Sequence, residues 1–265
     1  MIYRGKVRLL KTNRGSLAWR KWRTRRGDDM GSGDRLPEHI RSHASGKSWV
    51  DIGCMWGVDG RHAFLAEEAG AHPVTGVDVF GPTAEFERQK AARSSKVEFI
   101  LGDATDPRTL EQVGVVDVVF CSGVLYHHPS PFDVLVALRR MCRETLILRT
   151  FTIPEVPGLP GAAVYFPMLG AGERRLWDLP WLGTQVGIST VFQPHEGYGN
   201  WFWGLSLSCL TALLATAGFR VVERFPESFV QTVVCAVADV SFAHRIPNEG
   251  QPRRRAQGMQ APGSD

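Results

Sequence analysis

The 265 residues, 43% hydrophobic and 22% charged, suit one large domain with an insertion or a small appendage. No run of about eighteen apolar residues offers a bilayer span, and the start MIYRGKVRLLKTNRG lacks the pattern of a secretory signal, so a cytoplasmic protein is expected. The net charge of +4 is unevenly spread, because residues 1–27 hold ten Lys and Arg and no acid, which leaves the remainder at −6.

The chain divides by composition into five parts. Residues 1–35 form a basic extension in which Trp19 and Trp22 interleave with the charges, a composition compatible with an anionic membrane surface or RNA. From residue 36 to 150 strands and helices alternate, the signature of a mainly parallel sheet covered on both faces. Strands are expected at Ser48–Ile52, Pro73–Val79, Val97–Leu101, Val115–Cys121 and Thr145–Arg149, with helices at 36–42, 58–69, 84–92, 107–112 and 132–141. The alternation then stops: residues 151–206 are dense in Pro, Gly and aromatics and read as a lid inserted over an active site. Residues 207–242 return to the core, with Ser206 as a helix N-cap, Gly218 as its C-terminal cap and a terminal antiparallel strand pair, while 243–265 reads as a disordered tail. The fold expected is α/β, a Rossmann-like doubly wound sheet of seven strands.

Chemistry concentrates where strands end. In SWVDIGCMWGVDG the first strand ends at Asp51, and Gly53, Cys54 and Gly57 form the turn, where small residues let backbone N–H groups approach a ligand. A dinucleotide fingerprint needs glycine where Met55 stands, so a ligand without a pyrophosphate is expected. Asp78 and Val79 end the second strand, where a carboxylate can accept from both hydroxyls of a ribose. Gly102, Asp103 and Ala104 end the third, where an acid can accept from an exocyclic amine such as that of adenine. Ser122 and Gly123 of the fourth corner complete the candidate cofactor-binding set.

These corners, in this order and spacing, resemble the class I S-adenosylmethionine-dependent methyltransferase superfamily over residues 48–150 and again over 206–237. The resemblance implies that the Asp51–Gly57 turn holds the methionine end of S-adenosyl-L-methionine, Asp78 its ribose and Asp103 its adenine. The fourth corner, CSGVLYHHPSP, is similar to the VLxHxxxP pattern of small-molecule methyltransferases, and its GVLYH also looks like the enzymes that carboxymethylate a tRNA wobble uridine. It is not the NPPY-type tetrad of enzymes acting on nucleobase amines.

The acceptor is less constrained. Candidate catalytic residues are His127 in the fourth corner and His195, Glu196 and Asp178 in the lid, where Glu173, Arg174 and Arg175 add polar groups and Trp201 and Trp203 add aromatic faces. The leading expectation is methyl transfer to a hydroxyl of a small polar acceptor, a carbohydrate or glycosylated metabolite. Modification of a tRNA wobble uridine is the alternative, and a non-catalytic cofactor-binding module a third reading. A divalent metal such as Mg²⁺ and a homodimer stay open. The five cysteines are odd in number and scattered, and read as free thiols of a reducing compartment.

Overall fold

The computed structural model describes residues 35–174, 191–227 and 230–239. The basic arm, Arg175, Asp178 and the polar tail lie outside the described residues.

Helix α1 (Leu36–Ala44) leads into β1 (Trp49–Ile52), α2 (Arg61–Glu68), β2 (Val74–Asp78), α3 (Ala84–Arg93), β3 (Glu98–Leu101), α4 (Pro107–Val113), β4 (Val116–Ser122), α5 (Pro131–Met141) and β5 (Cys142–Ile153). The sheet runs β3-β2-β1-β4-β5 with every neighbouring pair parallel. Parallel strands need helical crossovers on both faces, and the period-two pattern of β4 displays the result. Val119 and Cys121 join one core with Leu135 and Leu138 of α5, whereas Val118 and Phe120 join the other with Phe64 and Phe86 of α2 and α3. Helix starts follow local chemistry: Thr83 accepts from the Phe86 N–H and Asp106 from the Arg108 N–H.

Beyond β5 come β6 (Ala163–Tyr165), the short helix α6 (Ala171–Arg174), β7 (Trp203–Ser206), α7 (Leu207–Ala217), β8 (Phe219–Glu227) and β9 (Val230–Val237). Ser206 caps α7 by accepting from Cys209 N–H, Gly218 closes it at φ 99°, and β8 and β9 form the antiparallel terminal pair, β9 lying against β5.

Among the described residues the sheet has nine strands where seven are expected from the sequence. Strand β5 runs on to Ile153, and its last residues, Thr152 and Ile153, pair in parallel with β7, which carries β6 antiparallel beside it. The lid segment is therefore partly an extension of the sheet. Its register depends on Gly204, where a Cβ would stand 2.6 Å from Ile153 Cγ2 and 3.0 Å from the Phe166 ring. Such close packing of distant segments leaves no periodicity in a four-residue strand.

All five cysteines are free, and only Cys209 is partly exposed. Among the described residues no helix is long and apolar enough to cross a membrane.

Candidate active site

A cavity of about 1010 Å³ opens at the carboxyl ends of β1, β2, β3 and β4, where open parallel sheets bind ligands. Gly53, Met55, Trp56, Gly57 and Asp59 wall it from the first corner, Asp78, Val79 and Phe80 from the second, and Gly102, Asp103 and Ala104 from the third. The fourth corner adds Ser122, Gly123, Tyr126, His127 and His128, and the lid adds Glu196, Tyr198 and Gly199.

Asp78 ties the first two corners together. Its Oδ2 accepts from the Met55 N–H (2.7 Å) and its Oδ1 from the Phe80 N–H (2.9 Å), so one carboxylate fixes both the first and second loops while facing the cavity. Gly53 needs its small size: at φ 83° a Cβ would stand 2.6 Å from Val124 Cγ2.

Two members of the expected cofactor set sit behind this wall. Asp51 is fully buried at the end of β1, outside the cavity, and neither of its carboxylate oxygens meets a hydrogen-bond partner among the described residues. Burial, reinforced by the nearby Asp78, pushes its carboxyl up to about 8. The Cys54 thiol is buried 2.7 Å from where a Cβ on Gly76 would be, so it fills the hollow that this glycine leaves in β2. Gly53, at φ 83°, breaks the strand alternation between them, so both side chains lie behind the wall while Gly53 itself lines the cavity.

The two adjacent histidines have opposite tautomers. His127 Nδ1 lies 2.8 Å from the carbonyl of Asn200, which cannot donate, so the proton sits on Nδ1 and Nε2 is the free acceptor. Burial lowers the His127 pKa from the ordinary imidazole value, which keeps the ring neutral. His128 Nδ1 instead accepts from the Ser130 N–H (3.0 Å), so in its neutral form the proton is on Nε2, 3.6 Å from Asp103 Oδ2.

Asp103 is crowded before any ligand arrives. Its Oδ1 accepts from both the N–H and the hydroxyl of Thr105, each at 2.7 Å, and its Oδ2 from the Tyr198 hydroxyl. The His128 imidazole, then Tyr198 and Thr105, hold this carboxyl well below the usual carboxylate range against the opposing effect of burial. Burial and the same acid push the Tyr198 phenol up to about 12. The Tyr198 ring also stacks on His128, with centroids 5.3 Å apart.

The lid residues divide differently from expectation. Glu196 is exposed on the cavity wall, whereas His195 is exposed and off it. Trp201 is buried beside Tyr126, with ring centroids 4.2 Å apart, and Trp203 Nε1 donates to the Pro129 carbonyl, so both fasten the lid without lining the cavity. Arg174 is buried and donates to the carbonyls of Phe166 and Leu169. Tyr198 and Asn200 were not legible from the sequence: their contacts to Asp103 and His127 span 95 and 73 residues, and no local pattern announces them. Asn200 holds the turn closed, accepting from the Gln193 N–H and donating to the carbonyls of Gln193 and Gly197.

The donor set suits S-adenosylmethionine. Asp78 offers acceptors for a ribose, Val79 and Phe80 an apolar wall for a base, and the carboxylates of Asp59, Asp78, Asp103 and Glu196 an electronegative surround for a sulfonium. No Lys or Arg is among the described residues of the wall. Among the described residues, no three His, Cys, Asp or Glu are grouped as metal ligands.

Residues 50–147 match a family model described as a methyltransferase domain. Residues 50–147 thus carry a methyltransferase domain, in agreement with the class I resemblance of the strand corners. The chain is 38% identical over 158 residues to a tRNA U34 carboxymethyltransferase of Colwellia psychrerythraea, covering 56% of this chain and 44% of that one. It is 31% identical over 227 residues to a protein of the same name from Shewanella piezotolerans, covering 82% of this chain and 55% of that one. The chain thus spans about half the length of these curated relatives. In fold it is similar to the 1,6-didemethyltoxoflavin-N1-methyltransferase of Burkholderia thailandensis, with a TM-score of 0.51 at 16% identity over 84% of this chain and 87% of that one.

Proposed function

We propose that this methyltransferase modifies RNA, its acceptor being a uridine of the tRNA anticodon loop. The observation that carries this reading is the extent of the Shewanella match, since a stretch covering 82% of the chain includes the lid that shapes the acceptor side. This reverses the order of preference set by composition, in which a carbohydrate hydroxyl led. The ten Lys and Arg of residues 1–27 supply the counter-charge that phosphates require.

When bound, S-adenosylmethionine supplies an electrophilic methyl carbon on a sulfonium. The protein's own work is positioning and proton removal. Asp78, with Val79 and Phe80, orients the cofactor. His127, held as the Nδ1–H tautomer by Asn200, presents Nε2 to take the proton that the acceptor atom gives up as it receives the methyl, a ring N–H of the uracil in this reading. Lid residues Glu196, Tyr198 and Gly199 close the mouth against water. We read the transferred group as methyl: the four wall carboxylates would repel the extra carboxylate of a carboxymethyl donor.

A second reading, methylation of a small hydroxylated acceptor, draws on Glu196, whose exposed carboxylate on the wall suits a sugar hydroxyl. Incubation with methyl-labelled S-adenosylmethionine and a tRNA transcript bearing U at the first anticodon position tests both. Label is expected in the RNA, and lost when that base is C. Label absent from the RNA but transferred to an added glycoside would overturn the first reading in favour of the second.

A further inference from the structure

We infer that Trp56 is the seat on which the acceptor base stacks, making it a specificity-determining residue for a flat, unpaired base. This rests on the RNA reading above and adds to it a place and a residue.

The first corner forces the side chain outward. Met55 is buried, with its N–H on Asp78 and its carbonyl accepting from the Val58 and Asp59 N–H groups, and Gly57 follows at φ 72°. Trp56, between them, projects into the mouth and is 59% exposed. With Phe80 and Val79, which are also exposed on the cavity wall, the indole makes a contiguous apolar patch of the kind a ligand covers.

Its neighbours fix where that ligand lies. The Trp56 ring is 5.6 Å from the His127 ring and 5.4 Å, edge-on, from Phe80, and Gly199 of the lid passes close enough that a Cβ there would be 3.6 Å from Trp56 Cη2. The indole therefore bridges the proposed base and the wall assigned to the cofactor. An acceptor atom must lie between His127 and the transferred methyl, so the ring bearing that atom falls against Trp56. A nucleobase meets the indole with its whole face, and stacking on one aromatic side chain is worth about 1–3 kcal/mol per base, a five- to hundredfold change in affinity at about 1.4 kcal/mol per tenfold. A paired base cannot expose that face, so the seat selects loops over duplexes.

The test uses the full-length protein, an in vitro transcribed tRNA with U at the first anticodon position, and the same RNA made abasic there. Trp56→Ala should weaken RNA binding about tenfold or more and raise KM for the transcript, while Trp56→Phe retains most of both. Removing the base should cost the wild type as much as Trp56→Ala does and cost the variant little more. Affinity for S-adenosylhomocysteine by titration calorimetry should change by less than about threefold. If the wild type modifies the tRNA and Trp56→Ala does so with unchanged KM, the seat is wrong and the RNA reading stands. If Trp56→Ala instead loses S-adenosylhomocysteine, the indole belongs to the cofactor wall and the seat is likewise wrong. If the wild type neither binds nor modifies any tRNA, the RNA reading falls and takes the seat with it.

Discussion

The two halves of the cavity are built by opposite means. In the core half every wall residue sits at a strand-to-helix corner, within a few residues of a regular element, and Asp78 ties neighbouring corners through backbone N–H groups. In the lid half the working contacts reach across the chain: Tyr198 to Asp103, the Asn200 carbonyl to His127, and the Phe202 N–H to the Tyr126 carbonyl. The core half is specified by local pattern and the lid half by tertiary contact. Substitutions should consequently behave differently: in the core they should change cofactor affinity, and in the lid they should change turnover through groups that the lid holds.

The sharpest break of that comparison is at His127, a core residue whose tautomer is set by the lid. His127→Ala should lower turnover about 10²–10⁴-fold if Nε2 is the base, with little change in cofactor affinity. Because burial lowers the His127 pKa, its base form persists below the ordinary imidazole value, so the acid limb of the pH–rate profile should fall below pH 6.5. A limb above 6.5, or a profile in which His127→Ala keeps the same limb, would assign the proton transfer to another group. Next in size is Asp78→Ala, which removes an acceptor for the ribose and also strands the Met55 and Phe80 N–H groups. Cofactor affinity should fall about tenfold or more, since a hydrogen bond to a charged group is worth roughly 1.5–3 kcal/mol. Unchanged calorimetric affinity in a folded variant would remove Asp78 from the cofactor site.

The sequence made the core half legible because strand corners carry their chemistry in contiguous motifs: SWVDIG, VTGVDVF and VEFILGDA each announce a strand, its end and an acid. What it did not carry was side-chain direction within those motifs. Asp51 and Cys54 belong to the first corner yet face the core, while Met55, which a phosphate-free ligand merely tolerates by sequence reasoning, and Trp56, on which that reasoning was silent, supply wall. In the lid, His195 and the tryptophans drew attention by residue type, and the residues that reach the site, Tyr198 and Asn200, are single polar groups in a Gly-rich turn whose partners only folding reveals.

A smaller effect is expected at the one place where the halves compete. Asp103 was read as the partner of adenine, and Tyr198 already occupies its Oδ2. Tyr198→Phe should free that oxygen, tightening cofactor binding by up to about tenfold, while loosening the lid and lowering turnover. A calorimetric loss of affinity would show instead that Tyr198 closes over the bound cofactor and supports it.

The last prediction concerns Asp51 and asks whether the core half contains a residue that motif reasoning places in the site but that acts on stability alone. With its folded pKa raised to about 8, this carboxyl keeps its proton where the unfolded chain, with a pKa near 3.9, has released it. Below about pH 4 both states are protonated and burial imposes no ionic penalty. As pH rises toward 8 the unfolded state is increasingly favoured, by at most about 1.4 kcal/mol per pH unit for one proton, and above 8 the penalty is constant. Asp51→Asn cannot ionise, so its stability relative to the wild type should increase between pH 5 and pH 8, by about 1 kcal/mol or more in paired thermal or urea melts. The comparison between the two pH values cancels any fixed cost of placing an amide at this buried position. A difference that stays flat across this range would mean that Asp51 ionises normally in the fold. If cofactor affinity also fell in this variant, the first corner would hold its ligand through Asp51 as well as through backbone, and the division between a ligand-facing wall and a buried support behind it would have to be redrawn.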